Sequence, residues 1–114
     1  MPQLAKTDRP LYQVKADLFK ALAHPARVRI LELLRDGERS VKDLLPEVGI
    51  EASHLSQQLA VLRRVNLVRA RREGTSIIYA VKDRRVIRLL DAAKAVLLSS
   101  LIETRDLLAD LEGR

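Results

Sequence analysis

ASHLSQQLAVLRRVNLVRARREGTSIIYAV, residues 52–81, decides the fold, because its periodicity changes partway along. In the first half Leu55, Leu59 and Leu62 recur at i, i+4 and i+7, which places them on one face of a helix turned toward a core. The other face carries His54, Gln57, Gln58 and Val61, with Ser53 and Ser56 toward the amino end. In the second half the period becomes two. Leu67–Arg72 and Ser76–Val81 read as strands joined across Glu73-Gly74. Asn66, a residue that tolerates left-handed dihedrals, marks the exit from the helix at about Val65.

Toward the amino end, Gly49 closes a preceding helix whose apolar positions are Val41, Leu44, Leu45 and Val48 and whose cap is Ser40. Two helices joined by a tight turn containing glycine form a helix-turn-helix. Glu38-Arg39-Ser40 is a short connector with residues extended enough to pair with the hairpin. Before it, a helix from Pro25 to about Arg35 buries Val28, Ile30, Leu31 and Leu34 and ends on Gly37 as a left-handed cap. His24-Pro25 separates it from a first helix, Leu11 to Leu22, carrying Val14, Leu18, Ala21 and Leu22 at helical spacing. Residues 1–10 lack periodicity and are expected to form a flexible arm.

Toward the carboxyl end, residues 83–111 contain no Gly or Pro, and Asp83 can cap the start of a long helix. Leu90, Ala93, Leu97, Leu101, Thr104 and Leu108 track its seam, and Leu89, Val96, Leu98, Ile102 and Leu107 flank it. Such a helix is roughly 40 Å long. A domain this small does not cover both flanks, so a second copy of the chain is the simplest cover. The expected dimer contacts are Leu11, Val14 and Leu18 on the first helix and the six seam residues on the last.

The totals narrow the function. The 114 residues support one domain, residues 11–111, with the dimerisation helix at about 83–111. Aromatic residues are only 3%, so the core is aliphatic and the fold mainly helical with a small β-hairpin. No cysteine is present, which removes disulfides, thiolate metal sites and thiol switches. With no bilayer-length apolar run and no signal-peptide pattern, the expected location is the cytoplasm and no membrane partner is expected. The net charge of +6 is concentrated: residues 63–85 hold eight Lys/Arg against Glu73 and Asp83. Such local excess points to a polyanion.

An uncharged, hydrogen-bonding helix face beside a basic hairpin suits double-stranded DNA. Ser53, His54, Ser56, Gln57 and Gln58 are of the types that read base edges in the major groove. Arg69, Arg71 and Arg72, near the hairpin tip with Thr75, suit phosphates or the adjoining minor groove. Arg63 and Arg64 either bond phosphates or complement the helix dipole. His24 and His54 sit in no catalytic arrangement, and the four glycines are isolated rather than gathered in a phosphate loop. No enzyme activity and no cofactor are expected.

LFKALAHPARVRILELL (Leu18–Leu34), LSQQLAVLRRVNLVRARREGTSIIYAV (Leu55–Val81) and the order of elements resemble the ArsR/SmtB winged helix-turn-helix regulators. The resemblance spans about residues 11–111 and implies a dimeric transcriptional regulator, mostly repressors released from DNA by metal ions, here on a promoter inverted repeat. In the family's V-S-x-H-L pattern, matched by Leu55–Leu59, Gln58 replaces the common His. The metal sites implied by the family do not carry over. Ser40 and Lys42 stand where L-C-V-C-D-L has its cysteines. Of D-x-H-x10-H-x2-E/H only Asp91 matches, with Ala93, Thr104 and Leu107 in the other places. A regulator without those ligands is expected. The alternatives are a DNA platform whose signal comes from a separate sensor protein, or a weak carboxylate metal sensor built on Asp91, Glu103 and Asp106.

Overall fold

The computed structural model describes residues 8–113, which form two compact units divided between Lys82 and Asp83. In the first unit the order is α1 (Leu11–Leu22), α2 (Pro25–Leu33), β1 (Arg39–Ser40), α3 (Val41–Val48), α4 (Ala52–Arg64), β2 (Val68–Glu73) and β3 (Ser76–Val81). The second is a single helix, α5 (Arg85–Glu112). Of the expected arm, residues 1–7 lie outside the described residues. Asp8-Arg9-Pro10 has no regular structure, yet Arg9 is tied to α1 through an ion pair with Asp17 and a bond to Gln13 Oε1 at 3.4 Å.

Local chemistry sets the helix ends. His24 breaks the chain with extended dihedrals (φ −149°, ψ 125°), and its Nδ1 accepts the Ala26 N–H at 3.1 Å, capping α2 with Pro25 behind it. The regular part of α2 stops at Leu33, short of the expected Arg35, and loosens through the bonds Arg35 N–H to Glu32 O and Gly37 N–H to Leu34 O. Gly37 is not the left-handed helical cap expected. Its φ of 144° is a glycine region beyond that basin, and it sends the chain extended into β1. Ser40 caps α3 by accepting the Asp43 N–H at 3.0 Å, and Gly49 (φ 75°) ends it with a bond to Leu45 O. Pro46 sits inside α3, where it removes one ladder donor.

The core of this unit is aliphatic. Ile30 and Leu31 of α2, with Leu34 just past its end, meet Leu44 of α3, Leu55, Leu59 and Leu62 of α4, and Val68 of β2, all at 2% exposure or less. Burying each such side chain contributes about 1.5–3 kcal/mol. Ala26 is buried where Val28 was expected, and Val28 is half-buried. After α4, Asn66 takes the left-handed conformation (φ 63°) and redirects the chain into the hairpin. The sheet order is β1-β3-β2, all antiparallel, with Val68 opposite Val81 and Glu73 opposite Ser76 across the Gly74-Thr75 turn. The expected pairing of the connector is present: Arg39 faces Tyr79 and Ser40 faces Ile78.

In the second unit, Asp83 accepts the Arg85 N–H at 2.9 Å and so caps the first turn of α5. Arg85 also holds the Asp83 carboxylate with its side chain, which lowers the carboxyl to about 2. Val86 and Ile87 are buried, Leu89 and Leu90 are half-buried, and every residue from Asp91 to Gly113 is exposed. Leu97 and Leu101, each 64% exposed, and Leu108 at 54% lie along that length. Among the described residues no helix is long and apolar enough to cross a membrane.

Candidate nucleic-acid interface

The core stripe of α4 fixes what its outer face presents. With Leu55, Leu59 and Leu62 inward, Ser53, His54, Ser56 and Gln57 are all exposed, and Arg63 and Arg64 are exposed in the last turn. The face therefore offers hydroxyl, imidazole and amide groups and no carboxylate between Ala52 and Arg64. These are the groups that make directional bonds to base edges.

Gln58 does not belong to that face. It is only 7% exposed, and its Oε1 accepts from Arg27 Nη1 of α2 at 2.7 Å. The reason is geometric: Gln58 lies three residues after Leu55 and four before Leu62, so it shares their side of the helix. A buried amide needs a partner, and Arg27 supplies it. The same guanidinium reaches back to the end of α1, donating from Nε to Ala21 O at 2.6 Å and from Nη2 to Lys20 O at 3.4 Å.

The three wing arginines differ. Alternation along β2 turns Val68 into the core and leaves Arg69 and Arg71 exposed, with Arg72 exposed beside the turn. Arg71 is committed elsewhere: it donates from Nη2 and Nε to the two Glu38 oxygens, at 2.5 and 3.2 Å, and from Nη1 to Glu73 at 2.5 Å. Those bonds raise its already high pKa and hold the Glu38 carboxyl below its usual range. Arg71 thus staples the wing to the connector before β1, a tie the sequence does not suggest, while about half of its side chain stays exposed at 49%. Among the described residues Arg72 has no ion pair.

Thr75 and Ser76 at the wing tip share a cleft of about 760 Å³ with Ser56 of α4 and Lys42 of α3. Lys42 is not among the DNA-facing residues the sequence suggests; there it stands only at a cysteine position of the family's metal pattern. His24 and His54 also come together, their rings edge to face with centroids 6.0 Å apart. No group of three or more His, Asp or Glu side chains able to hold a metal ion occurs among the described residues.

A helix pair joined by a glycine turn, followed by a three-stranded sheet whose last two strands project as a wing, defines a winged helix-turn-helix protein. The sequence profile of the bacterial regulatory protein arsR family matches residues 24–70. An uncharacterised HTH-type transcriptional regulator of Mycobacterium tuberculosis, Rv0081, is 52% identical over 105 residues, 91% of this chain and 92% of its own length. Its crystal structure superposes with a TM-score of 0.77, covering 84% of this chain and 97% of that one. NmtR, an HTH-type transcriptional regulator of the same organism, is 46% identical over 78 residues, 68% of this chain and 65% of its own. The homodimeric winged helix-turn-helix DNA-binding domain of Mb0332 from Mycobacterium bovis is 35% identical with a TM-score of 0.71, covering 84% of this chain and 91% of that one. The chain belongs to the ArsR family, and it is a DNA-binding transcriptional regulator.

Proposed function

We propose that the protein acts as a homodimer that reads a promoter inverted repeat with Ser53, His54, Ser56 and Gln57 of each α4 in the major groove. The observation that carries this reading is the exposed, carboxylate-free polar face of α4. The positive charge concentrated in residues 63–85 supports it. Arg63 and Arg64 at the end of α4, and Arg69, Arg72 and Thr75 on the wing, hold the flanking backbone. Dimerisation runs through α1, by Leu11, Val14 and Leu18, and through α5, by Leu90, Ala93, Leu97, Leu101, Thr104 and Leu108. The exposed apolar length of α5 supports this, as does the homodimeric state named for the M. bovis relative.

Control does not pass through the family's metal positions, where Ser40, Lys42, Ala93, Thr104 and Leu107 replace ligands. The signal enters through a separate sensor protein or the dimer helices. A carboxylate sensor on Asp91, Glu103 and Asp106, paired across the dimer, is the weaker reading, because exposed carboxylates on a helix are ordinarily solvated charges. A footprint on the protein's own upstream promoter, repeated with nickel and zinc, tests the proposal. Protection of two half-sites centred about 34–36 Å apart, indifferent to either metal, is expected. A single protected half-site, or an affinity that collapses with stoichiometric metal, contradicts it.

A further inference from the structure

We infer that Arg27 and Gln58 are a positioning pair that fixes the roll of α4 against the end of α1 and so sets discrimination between DNA sequences. The inference rests on the DNA reading above. Arg27 bonds acceptors on two elements at once: Ala21 O and Lys20 O at the carboxyl end of α1, and Gln58 Oε1 on α4. Those α1 carbonyls lie in the last turn, where helical partners run out: Lys20 O also accepts the Ala23 N–H at 3.1 Å, whereas the residue four past Ala21 is Pro25, which has no N–H, so Arg27 Nε serves that carbonyl in its place. Its donors lie in one rigid plane, which means that moving α4 strains the bonds to α1 as well.

The pair stands one residue from the reading face. Gln57 is exposed and Gln58 is buried, so the tether acts beside the side chain proposed to meet a base. A 10° roll of a helix with a radius of about 5–6 Å moves side-chain tips by about 1 Å. That is enough to break a hydrogen bond to a base edge. Phosphate contacts from long arginine side chains tolerate a shift of that size better than base-edge bonds do, because they carry position and not sequence. Because α1 also carries Leu11, Val14 and Leu18, the pair connects a helix proposed for the dimer with the reader.

The test compares Gln58→Leu, Arg27→Met, the double variant and Gln58→Glu by fluorescence anisotropy on the footprinted duplex and on a random duplex. Each of the first two is expected to lower the preference for the footprinted duplex by about tenfold, with random-duplex affinity within about twofold of wild type. The double variant is expected to lose no more than either single, and Gln58→Glu, which keeps an acceptor for Arg27, to retain the preference. Unchanged preference in the singles, equal loss on both duplexes, or a double variant that loses the product of the singles overturns the inference. If Arg27→Met does not fold, the contrast between Leu and Glu at position 58 decides alone: equal behaviour of the two overturns it. A wild-type protein with no preference defeats the DNA reading itself, and the inference falls with it.

Discussion

Replacing Arg71 and Arg72 in turn separates an arginine that holds the wing from one that holds DNA. The affinity of a protein for duplex DNA falls with salt with a logarithmic slope of about 0.9 for each phosphate neutralised. Arg72 has no ion pair among the described residues, whereas Arg71 is bonded to both Glu38 and Glu73. In a homodimer each substitution removes two side chains. Arg72→Ala should therefore flatten the slope by about 1.8, so that the affinity ratio between about 50 and about 200 mM salt shrinks about twelvefold. Arg71→Ala should leave the slope within error of wild type, because its guanidinium is already neutralised by carboxylates. Its cost falls instead on the wing, whose tie to the connector before β1 is lost. Anisotropy titrations on one duplex over a range of salt concentrations measure both. A slope flattened as much by Arg71→Ala as by Arg72→Ala refutes the assignment: it means that Arg71 leaves Glu38 for a phosphate when DNA is bound.

Other perturbations probe the scaffold. Leu62, fully buried at 0% exposure, should destabilise the fold by about 2–5 kcal/mol on replacement by Ala, read from urea unfolding at fixed subunit concentration. Leu101→Asp places a charge on the exposed seam of α5 and should shift sedimentation toward monomer and lower operator affinity together; a persistent dimer would move the interface elsewhere. Asp83, whose carboxyl lies at about 2 when folded against an ordinary 3.8, contributes stability that is present above 3.8 and lost as pH falls toward 2. Thermal melts from about pH 5 to about pH 2 should thus decline less steeply for Asp83→Asn than for wild type.

Most element boundaries are legible in the sequence because a residue with a backbone reason to be there punctuates them; the end of α2 is the exception, since it falls at Leu33 and Gly37 lies beyond it without capping it. His24-Pro25, Gly49, Asn66 and Gly74 all mark breaks, and α1 runs from Leu11 to Leu22 as its periodicity predicts. The aliphatic stripe of α4 was legible for the same reason. What hides from a linear reading is the fate of neutral or paired polar side chains. Gln58 looks like its neighbour Gln57, and only the angular position relative to Leu55 and Leu62, together with Arg27 31 residues away, shows that it turns inward. Arg71 reads as one of three equivalent wing arginines until Glu38, 33 residues distant, is brought beside it. The contact between His24 and His54 is equally non-local. Lys42 was visible as a lysine but not as a wall of the cleft with Ser56 and Thr75, since that grouping depends on how α3, α4 and the wing meet. Pro46 ran the other way: it ordinarily argues against a helix interior, and tertiary packing overrides it in α3.

The central claim is that the outer face of α4 reads bases. Gln57 is its most direct probe, being exposed, amide-bearing and outside the core and the ion pairs described. The decisive measurement is the affinity of Gln57→Ala for the footprinted duplex and for a random duplex at the same salt. With about 1–3 kcal/mol for each of the two contacts in the dimer, a loss of about 2–6 kcal/mol on the footprinted duplex, with little change on the random one, is the predicted result. An equal loss on both, or none on either, would contradict base readout by this face.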